Sequence, residues 1–188
     1  MDMSNSVSIE DFEKSLPAGY LKTLQIIFFA IGTGIFLFFT VCVILYFINV
    51  QPETPPTEEV VSMLSFIHAI IFVALFFTSK FMYGFILSDK FNPGKNMMSF
   101  QQLGEVRGNY SNLLQKIRTA EIVRLAILEG PALFGLVIIL LSVMSGVIYY
   151  NSGYWLNLLS SFALWGMIYI NFPRTDKLYE VVRNHFNQ

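Results

Sequence analysis

Four long runs of apolar residues, separated by polar turns, dominate the pattern along the chain. They cover about 24–48, 60–79, 122–149 and 155–172. A helix needs about 20 mostly apolar residues to cross roughly 30 Å of hydrocarbon, which is close to the length of each run. Because the runs are continuously apolar rather than alternating, each is predicted to be a helix. The predicted fold is an all-α membrane protein whose four transmembrane helices form two antiparallel hairpins.

The basic residues mark one side of these four runs. All 12 Lys and Arg lie before the first run, around the connection between the second and third, or after the fourth. The other two connections, 49–59 and 151–153, contain none. Because cytoplasmic loops are rich in Lys and Arg, we expect the tails 1–22 and 174–188 and the segment 88–119 to be cytoplasmic. The sequence thus predicts a multi-pass protein of the bacterial inner membrane with both termini inside.

Composition and charge narrow the class of protein. The 188 residues are 54% hydrophobic and 13% charged, about half the charged fraction of a soluble domain. A net charge of −1 argues against nucleic acid as a partner and leaves the lipid bilayer as the expected one. One cysteine excludes a disulfide framework or a Cys-rich metal site. We also expect no cleaved signal peptide before the first run.

Polar segments outside the bilayer carry shorter signals. Ser8–Phe12 has a capping residue and early acids, which predicts a short helix that ends before Pro17. Asn92-Pro93-Gly94 predicts a turn. The residues that follow have apolar positions at helical spacing and are expected to lead, from about Ser111, into the third run as one long helix that extends into the cytoplasm. That extension either packs on its own bundle and the headgroups or docks a partner.

No catalytic signature is found in the chain. It lacks a P-loop, a Gly-rich dinucleotide motif, a His-Glu-x-x-His pair and a nucleophile elbow. We therefore expect no cofactor, no bound metal and, more readily than an enzyme, a protein without catalysis. A lipid-modifying enzyme would depend on Asp89, Glu121 and Arg124 alone.

The third run contains the most informative step, Glu129-Gly130-Pro131. Glu129 is about 7 residues into the run, so it is ~10 Å deep by helical rise. A charge at that depth is costly unless it is paired or wetted. Pro131 removes one backbone hydrogen bond and frees a carbonyl, while Gly130 lets a neighbour approach. The pattern favours either an ion or proton site, or a polar pair that fixes helix packing; binding of a ligand or lipid headgroup is a third interpretation.

Two further candidates lie in the apolar runs. Glu121 and Arg124 are spaced for an ion pair near the inner interface. His68 lies in the second run, where a lone histidine is more often a hydrogen-bonded packing residue than a proton relay. Helix-to-helix hydrogen bonds are expected from polar residues of the apolar runs, among them Thr33, Thr40, Ser142, Asn157, Ser160 and Ser161.

Three sequence blocks carry a family resemblance. They are Leu24–Ala30, Arg124–Phe134, which includes Glu129-Gly130-Pro131-Ala132-Leu133-Phe134, and Phe172–Lys177. These blocks resemble an uncharacterised family of small four-span bacterial membrane proteins. The resemblance covers nearly the whole chain and implies the topology without implying an activity.

A smaller resemblance concerns the acid of the third run. Glu129 followed by Gly135-Leu136-Val137 is similar to the proton-carrying helix of rotary ATPase c subunits. That resemblance implies a proton or sodium site at Glu129 and a packing role for Gly135. The chain departs from that family at Pro131 and in lacking a glycine-rich repeat in the second run.

Two functions follow as hypotheses. The first is a non-enzymatic subunit or scaffold of a membrane assembly, as a homo-oligomer or with other membrane subunits. The second is a component that translocates protons or cations, or binds a ligand, through Glu129. Pairs of small residues such as Ala30 and Gly34 indicate close helix contacts within or between chains.

Overall fold

The protein is described by a computed structural model that covers residues 12–13, 16–88 and 103–186. The described α-helices are α1 (Tyr20–Ile48), α2 (Glu59–Leu87), α3 (Leu103–Met144), α4 (Leu159–Ile170) and α5 (Thr175–Phe186). Two 3₁₀ helices, Val147–Tyr149 and Ser152–Leu158, connect α3 to α4. Every regular element in these ranges is helical, which confirms the all-α class.

Some predicted features fall outside the described residues. The turn at Asn92-Pro93-Gly94 and all but the last residue of the helix predicted at Ser8–Phe12 are among them. The long third helix is within the described part: α3 has 42 residues and already begins at Leu103, where the sequence predicted a continuous helix from about Ser111.

Three helices are long and apolar enough to span a membrane: α1, α2 and the Leu113–Met144 part of α3. Much of their apolar surface is exposed, as at Phe29 (71%) and Phe66 (69%). Large apolar side chains are exposed in this way where lipid or another protein covers them. The three helices support a multi-pass membrane protein.

The fourth apolar run has a different local structure from the other three. The second 3₁₀ helix, Ser152–Leu158, leads directly into α4, which has only 12 residues. At about 2.0 Å per residue in the 3₁₀ part and 1.5 Å in the α part, the two together are ~32 Å long. α4 ends at Ile170, and α5 begins after Pro173.

Helix α3 organises the core. It packs against α1, α2 and α4, whereas α1 and α2 make little contact with each other in the described residues. The buried side of α3 includes Leu128, Ala132, Leu136 and Ile139. The predicted grouping into two hairpins is therefore not confirmed, because the first two helices are joined through α3 rather than by direct packing.

Three hydrogen bonds show that α1 and α3 run parallel. The Tyr20 hydroxyl donates to the Leu114 carbonyl (2.6 Å), and the Cys42 thiol to the Leu136 carbonyl (3.7 Å). The Asn49 amide donates to the Val143 carbonyl (3.4 Å), and all three pairs are 94 residues apart in sequence.

Helices α2 and α4 run antiparallel to α3. On α2, His68 meets Pro131 and Tyr83 meets Arg124. On α4, Ser161 bonds to Ala132 while Met167 contacts Arg124. A rising sequence number on α2 or α4 thus meets a falling number on α3. The four helical segments alternate in direction along the chain.

A glycine ends α3 on the side opposite to α5. The α-helix stops at Met144, short of the predicted limit at Tyr149, and Gly146 follows with φ +78°. A β-carbon at Gly146 would lie 2.3 Å from Pro52 Cγ. The left-handed backbone and this close approach together require glycine. Tyr149 then closes the end of the bundle by hydrogen bonds to the Tyr46 and Asn49 carbonyls.

Candidate functional site

A buried polar junction joins α2, α3, α4 and the second 3₁₀ helix around His68. The His68 ring is 4% exposed. Its Nδ1 lies 2.9 Å from Asn157 Oδ1. Its Nε2 lies 3.0 Å from both Ser160 Oγ and the Pro131 carbonyl oxygen. We call His68, Pro131, Asn157 and Ser160 the His68 junction.

The hydrogen bonds of Asn157 determine which ring nitrogen carries a proton. Its amide nitrogen donates to Ser65 Oγ (3.0 Å) and to the Tyr154 carbonyl (2.9 Å). Because a carbonyl only accepts, the amide nitrogen must face Tyr154 and the amide oxygen must face His68. His68 Nδ1 is therefore the donor, and in the neutral ring Nε2 accepts the hydroxyl of Ser160.

Gly135 makes this close meeting of helices possible. A β-carbon there would lie 2.3 Å from the Asn157 carbonyl oxygen, 2.9 Å from Ser160 Oγ and 3.0 Å from His68 Cε1. The backbones of α3 and the second 3₁₀ helix approach to a distance that only glycine permits. Gly135 therefore positions the junction without taking part in its hydrogen bonds.

Glu129, the acid singled out by the sequence, lies outside the His68 junction. Its side chain is half-buried, and among the described residues no hydrogen bond or ion pair to it is found. The neighbouring Gly130 is exposed, and a β-carbon added there would have nothing within 4 Å. The three-residue step is thus split: Pro131 faces the buried junction, whereas Glu129 and Gly130 lie toward the surface of the bundle.

Arg124 and Glu121 form a second polar cluster with Tyr83 of α2. The Arg124 guanidinium lies 5.0 Å from the centre of the Tyr83 ring and donates to Met167 Sδ (3.4 Å). The Tyr83 hydroxyl lies close to the Glu121 carboxylate, and the charges of Arg124 and Lys177 attract that carboxylate. The charge of Arg124 acts on the Glu121 carboxylate, and Tyr83 of α2 lies beside both residues. The ion pair expected between Glu121 and Arg124 stays a prediction.

A small cavity opens next to this cluster, where α1, α2 and α3 meet the turn between α4 and α5. Its volume is about 90 Å³. Polar side chains on its wall are Tyr83, Glu121, Asn171, Arg174 and Lys177. We call it the inner-end cavity.

Sequence reasoning found parts of these sites and missed how they combine. Asn157, Ser160 and Ser161 were predicted as candidates for helix-to-helix hydrogen bonds, and each bonds to another helix. Thr40 and Ser142, predicted with them, bond instead to carbonyls of their own helices.

The resemblance to rotary ATPase c subunits implied a packing role for Gly135 without naming its neighbours. Its close approach to Asn157, Ser160 and His68 was not predicted, nor was the position of Lys177 near Glu121. The available signal was an isolated glycine four residues after Pro131 on the same helix face.

Neither polar site resembles a metal centre. Among the described residues, no group of three His, Cys, Asp or Glu side chains could hold a metal ion. Comparisons with protein-family models, curated proteins and solved structures found no match to the chain. Proposals about its function therefore rest on the chain's own residues.

Proposed function

We propose that the chain crosses the bacterial inner membrane four times, with both termini in the cytoplasm, and serves as a non-enzymatic subunit of a membrane assembly. The carrying observation is Glu129, a half-buried carboxyl in the apolar part of α3 without a partner among the described residues. A partner outside this chain would supply the polar contact that the described residues do not offer to that carboxyl.

A contact between the two ends of the chain supports four crossings. Phe12, before α1, packs edge-on against Tyr179 of α5, with ring centroids 5.5 Å apart. The segment before the first membrane helix and the segment after the fourth therefore lie at one end of the bundle. Because both segments lie at the same end, the number of membrane crossings is even. If α1, α2 and α3 each cross once, a fourth crossing is needed, and the helical segment Ser152–Ile170 is long enough to provide it.

The distribution of charged residues supports the proposed orientation in the membrane. Lys22, Lys80, Arg118 and Arg174 belong to the end of the bundle where Phe12 meets Tyr179, whereas Glu53, Glu58 and Glu59 belong to the opposite end. By the positive-inside rule, the basic end faces the cytoplasm.

The topology is tested by labelling single cysteines in a Cys42→Ser background. Thr54→Cys should react with a membrane-impermeant maleimide from the periplasmic side, and Arg118→Cys only after the inner membrane is permeabilised. The two variants are each other's control for thiol reactivity. Labelling of Arg118→Cys from the periplasm, or of Thr54→Cys from the cytoplasm only, would overturn the proposed orientation.

The subunit role is supported by an exposed stripe on α3 next to Glu129. Its members recur every three or four residues, and all are exposed: Ala126, Gly130, Leu133, Val137, Leu141 and Met144. A charged side chain left in hydrocarbon costs about 2.5–3.5 kcal/mol on insertion scales. Small and apolar residues at helical spacing are a typical helix-to-helix surface in lipid, and a polar group on the partner would satisfy Glu129.

Association is tested by native mass spectrometry of the protein released from its own membrane in a mild detergent. We expect a complex heavier than one chain, either a homo-oligomer or a complex with other membrane subunits. Gly130→Leu and Glu129→Leu should weaken it by about tenfold or more, since about 1.4 kcal/mol corresponds to tenfold. The matched control is Phe36→Leu on the exposed side of α1. A lone chain under all conditions would overturn the subunit role.

A second candidate function is the translocation of protons or small cations. It is favoured by the His68 junction, where a proton arriving at Nε2 would find the Pro131 carbonyl as an acceptor 3.0 Å away, and by Glu129 about 8 Å deeper than Arg124 by helical rise. Glu129→Gln would then abolish proton flux into vesicles containing the purified protein while leaving the fold intact. Unchanged flux, or none in the unaltered protein, would exclude this candidate.

A further inference from the structure

The inner-end cavity combines a small volume with an unusual mixture of charges. A volume of about 90 Å³ holds several water-sized groups. It is too small for an acyl chain and large enough for a small polar group. Apolar side chains including Leu24, Ile117 and Phe172 form part of the wall. The remaining polar wall is formed by side chains from α2, α3, the segment between α4 and α5, and α5 itself.

Among the residues that the structure describes, one acidic and two basic side chains line the inner-end cavity. Glu121 is the acid, and Arg174 and Lys177 are basic residues of the wall. Lys177 also donates to the Ile170 carbonyl at the end of α4. An ammonium has three donors, so this bond leaves Lys177 able to bind a second acceptor.

The nearby polar groups keep unused hydrogen-bonding capacity. Glu121 has Tyr83 as a neighbour, and a carboxylate has about four acceptor positions. Asn171 donates its amide nitrogen to the Met167 carbonyl (2.9 Å), which leaves its side-chain oxygen as an acceptor. Arg124, stacked on Tyr83, has a buried Nε–H for which the described residues provide no acceptor.

The depth of the cavity places it among lipid headgroups. Counting back from Met144, where α3 ends, about 20 residues or ~30 Å of helix leads to the neighbourhood of Arg124. Glu121 lies one turn further along. The cavity is therefore level with the phosphates on the basic side of the bilayer, given the proposed topology.

We propose that the inner-end cavity binds a phosphate ester whose alcohol part carries a primary amine. The amine lies in the cavity. Arg174 and Lys177 bind the phosphate, and Glu121 with the Asn171 side-chain oxygen binds the ammonium. A simple anion would be repelled by Glu121, and a simple cation by the basic residues, so a group carrying both charges matches the wall best. In a membrane this chemistry is that of phosphatidylethanolamine. The same chemistry in solution is that of phosphoethanolamine.

Lipid selectivity tests the proposal on the whole protein. Nanodiscs are prepared with equal amounts of phosphatidylethanolamine, phosphatidylcholine and phosphatidylglycerol, and the lipids retained on the released protein are weighed by native mass spectrometry. We expect phosphatidylethanolamine to be retained about tenfold over phosphatidylcholine, whose quaternary amine donates no hydrogen bond. Equal retention of the three lipids by the unaltered protein would overturn the proposal, whether or not any variant folds.

Matched variants assign the effect to the cavity. Glu121→Gln should reduce the preference for the primary amine to near unity, and Glu59→Gln, at the other end of the bundle, should leave it unchanged. Lys177→Ala should reduce retention of all three phospholipids, whereas Lys22→Ala, exposed on α1, should not. Equal effects of Glu121→Gln and Glu59→Gln would count against the cavity.

A competition distinguishes the two sources of the ligand. If phosphoethanolamine at millimolar concentration displaces the retained lipid, the cavity takes the soluble compound; if it does not, the cavity takes the lipid. The proposal rests on the proposed four-crossing topology but not on the subunit role. The cysteine labelling reports on that topology independently, so failure of lipid selectivity with correct labelling refutes the cavity proposal alone.

Discussion

His68 Nδ1 and Asn157 Oδ1 lie 2.9 Å apart and join α2 to the helical segment that follows α3. Both side chains are about 5% exposed or less. In the apolar interior each would have unsatisfied polar atoms without the other, which is costly where water is absent. The pair is therefore best understood as a junction that holds the later helices against α2 and α3.

Replacing His68 should loosen that junction. His68→Ala leaves Asn157 Oδ1 and the Ser160 hydroxyl without their ring partner and opens a cavity at a 4% exposed site. Interhelical hydrogen bonds in membranes contribute about 0.6–1.7 kcal/mol each, and the lost packing adds to that. We expect the free energy of unfolding in mild detergent to fall by about 2–3 kcal/mol, measured by thermal melting.

Thr78→Ala on the same helix is the control for His68→Ala. Thr78 is exposed, and within the described ranges its hydroxyl bonds only to the Ala74 carbonyl one turn back. Its loss should change the free energy of unfolding by less than about 0.5 kcal/mol. Equal effects of the two variants would mean that the His68 junction does not stabilise the bundle.

Adding a side chain at Gly135 should also destabilise the bundle. Gly135→Ala introduces a β-carbon 2.3 Å from the Asn157 carbonyl oxygen, a backbone atom that cannot move without shifting the 3₁₀ helix. Overpacking of this kind costs about 1–3 kcal/mol. We expect a loss of that size in the free energy of unfolding, measured in mild detergent as for His68→Ala.

Gly84→Ala on α2 supplies the opposite result. Nothing lies within 4 Å of the added β-carbon there, and alanine is favoured over glycine in a helix by up to about 1 kcal/mol. The melting temperature should therefore stay constant or rise. A melting temperature of Gly135→Ala as high as that of Gly84→Ala would show that the helices do not meet as closely as Gly135 indicates.

The positions of the helices follow from the sequence because a membrane-spanning helix requires a continuous run of apolar residues. Continuous apolar runs give the spans within a few residues at their outer ends: α1 ends at Ile48, as predicted, and α2 begins at Glu59. The C-terminal end of α2 is at Leu87. The sequence places the end of the run at about 79 and allows a continuation through the apolar residues Phe81–Leu87, which the helix includes. The sequence placed these helices without any knowledge of their neighbours.

The sites could not be predicted to the same extent, because they depend on which helix faces meet. His68 and Ser160 are 92 residues apart, and only the antiparallel packing of α2 and α4 on α3 brings them together. The inner-end cavity needs α5 to fold back so that Lys177 reaches Glu121. Hydropathy does not encode the rotation of a helix about its own axis. The sequence therefore indicated the depth of Glu129 along the third run but not its half-buried position beside an exposed stripe.

The periplasmic end of the proposed topology depends on Gly146. Gly146→Ala places a β-carbon at φ +78° and 2.3 Å from Pro52 Cγ. A left-handed backbone costs about 1–2 kcal/mol for a residue with a side chain, and displacement of Pro52 adds to that. We expect the free energy of unfolding to fall by about 2 kcal/mol. Gly166→Ala, with nothing within 4 Å, should leave it unchanged; similar losses in both would refute the contact between Gly146 and Pro52.

Glu129 separates stability of the single chain from association. Because the described residues offer it no partner, Glu129→Leu removes no bond among them and should leave the free energy of unfolding of the isolated monomer unchanged or higher. The same variant should weaken the assembly, since the proposed partner loses its polar contact. Melting of the monomer in detergent and native mass spectrometry of the complex measure the two effects separately. A monomer destabilised by more than about 1 kcal/mol would instead assign Glu129 to packing within the chain.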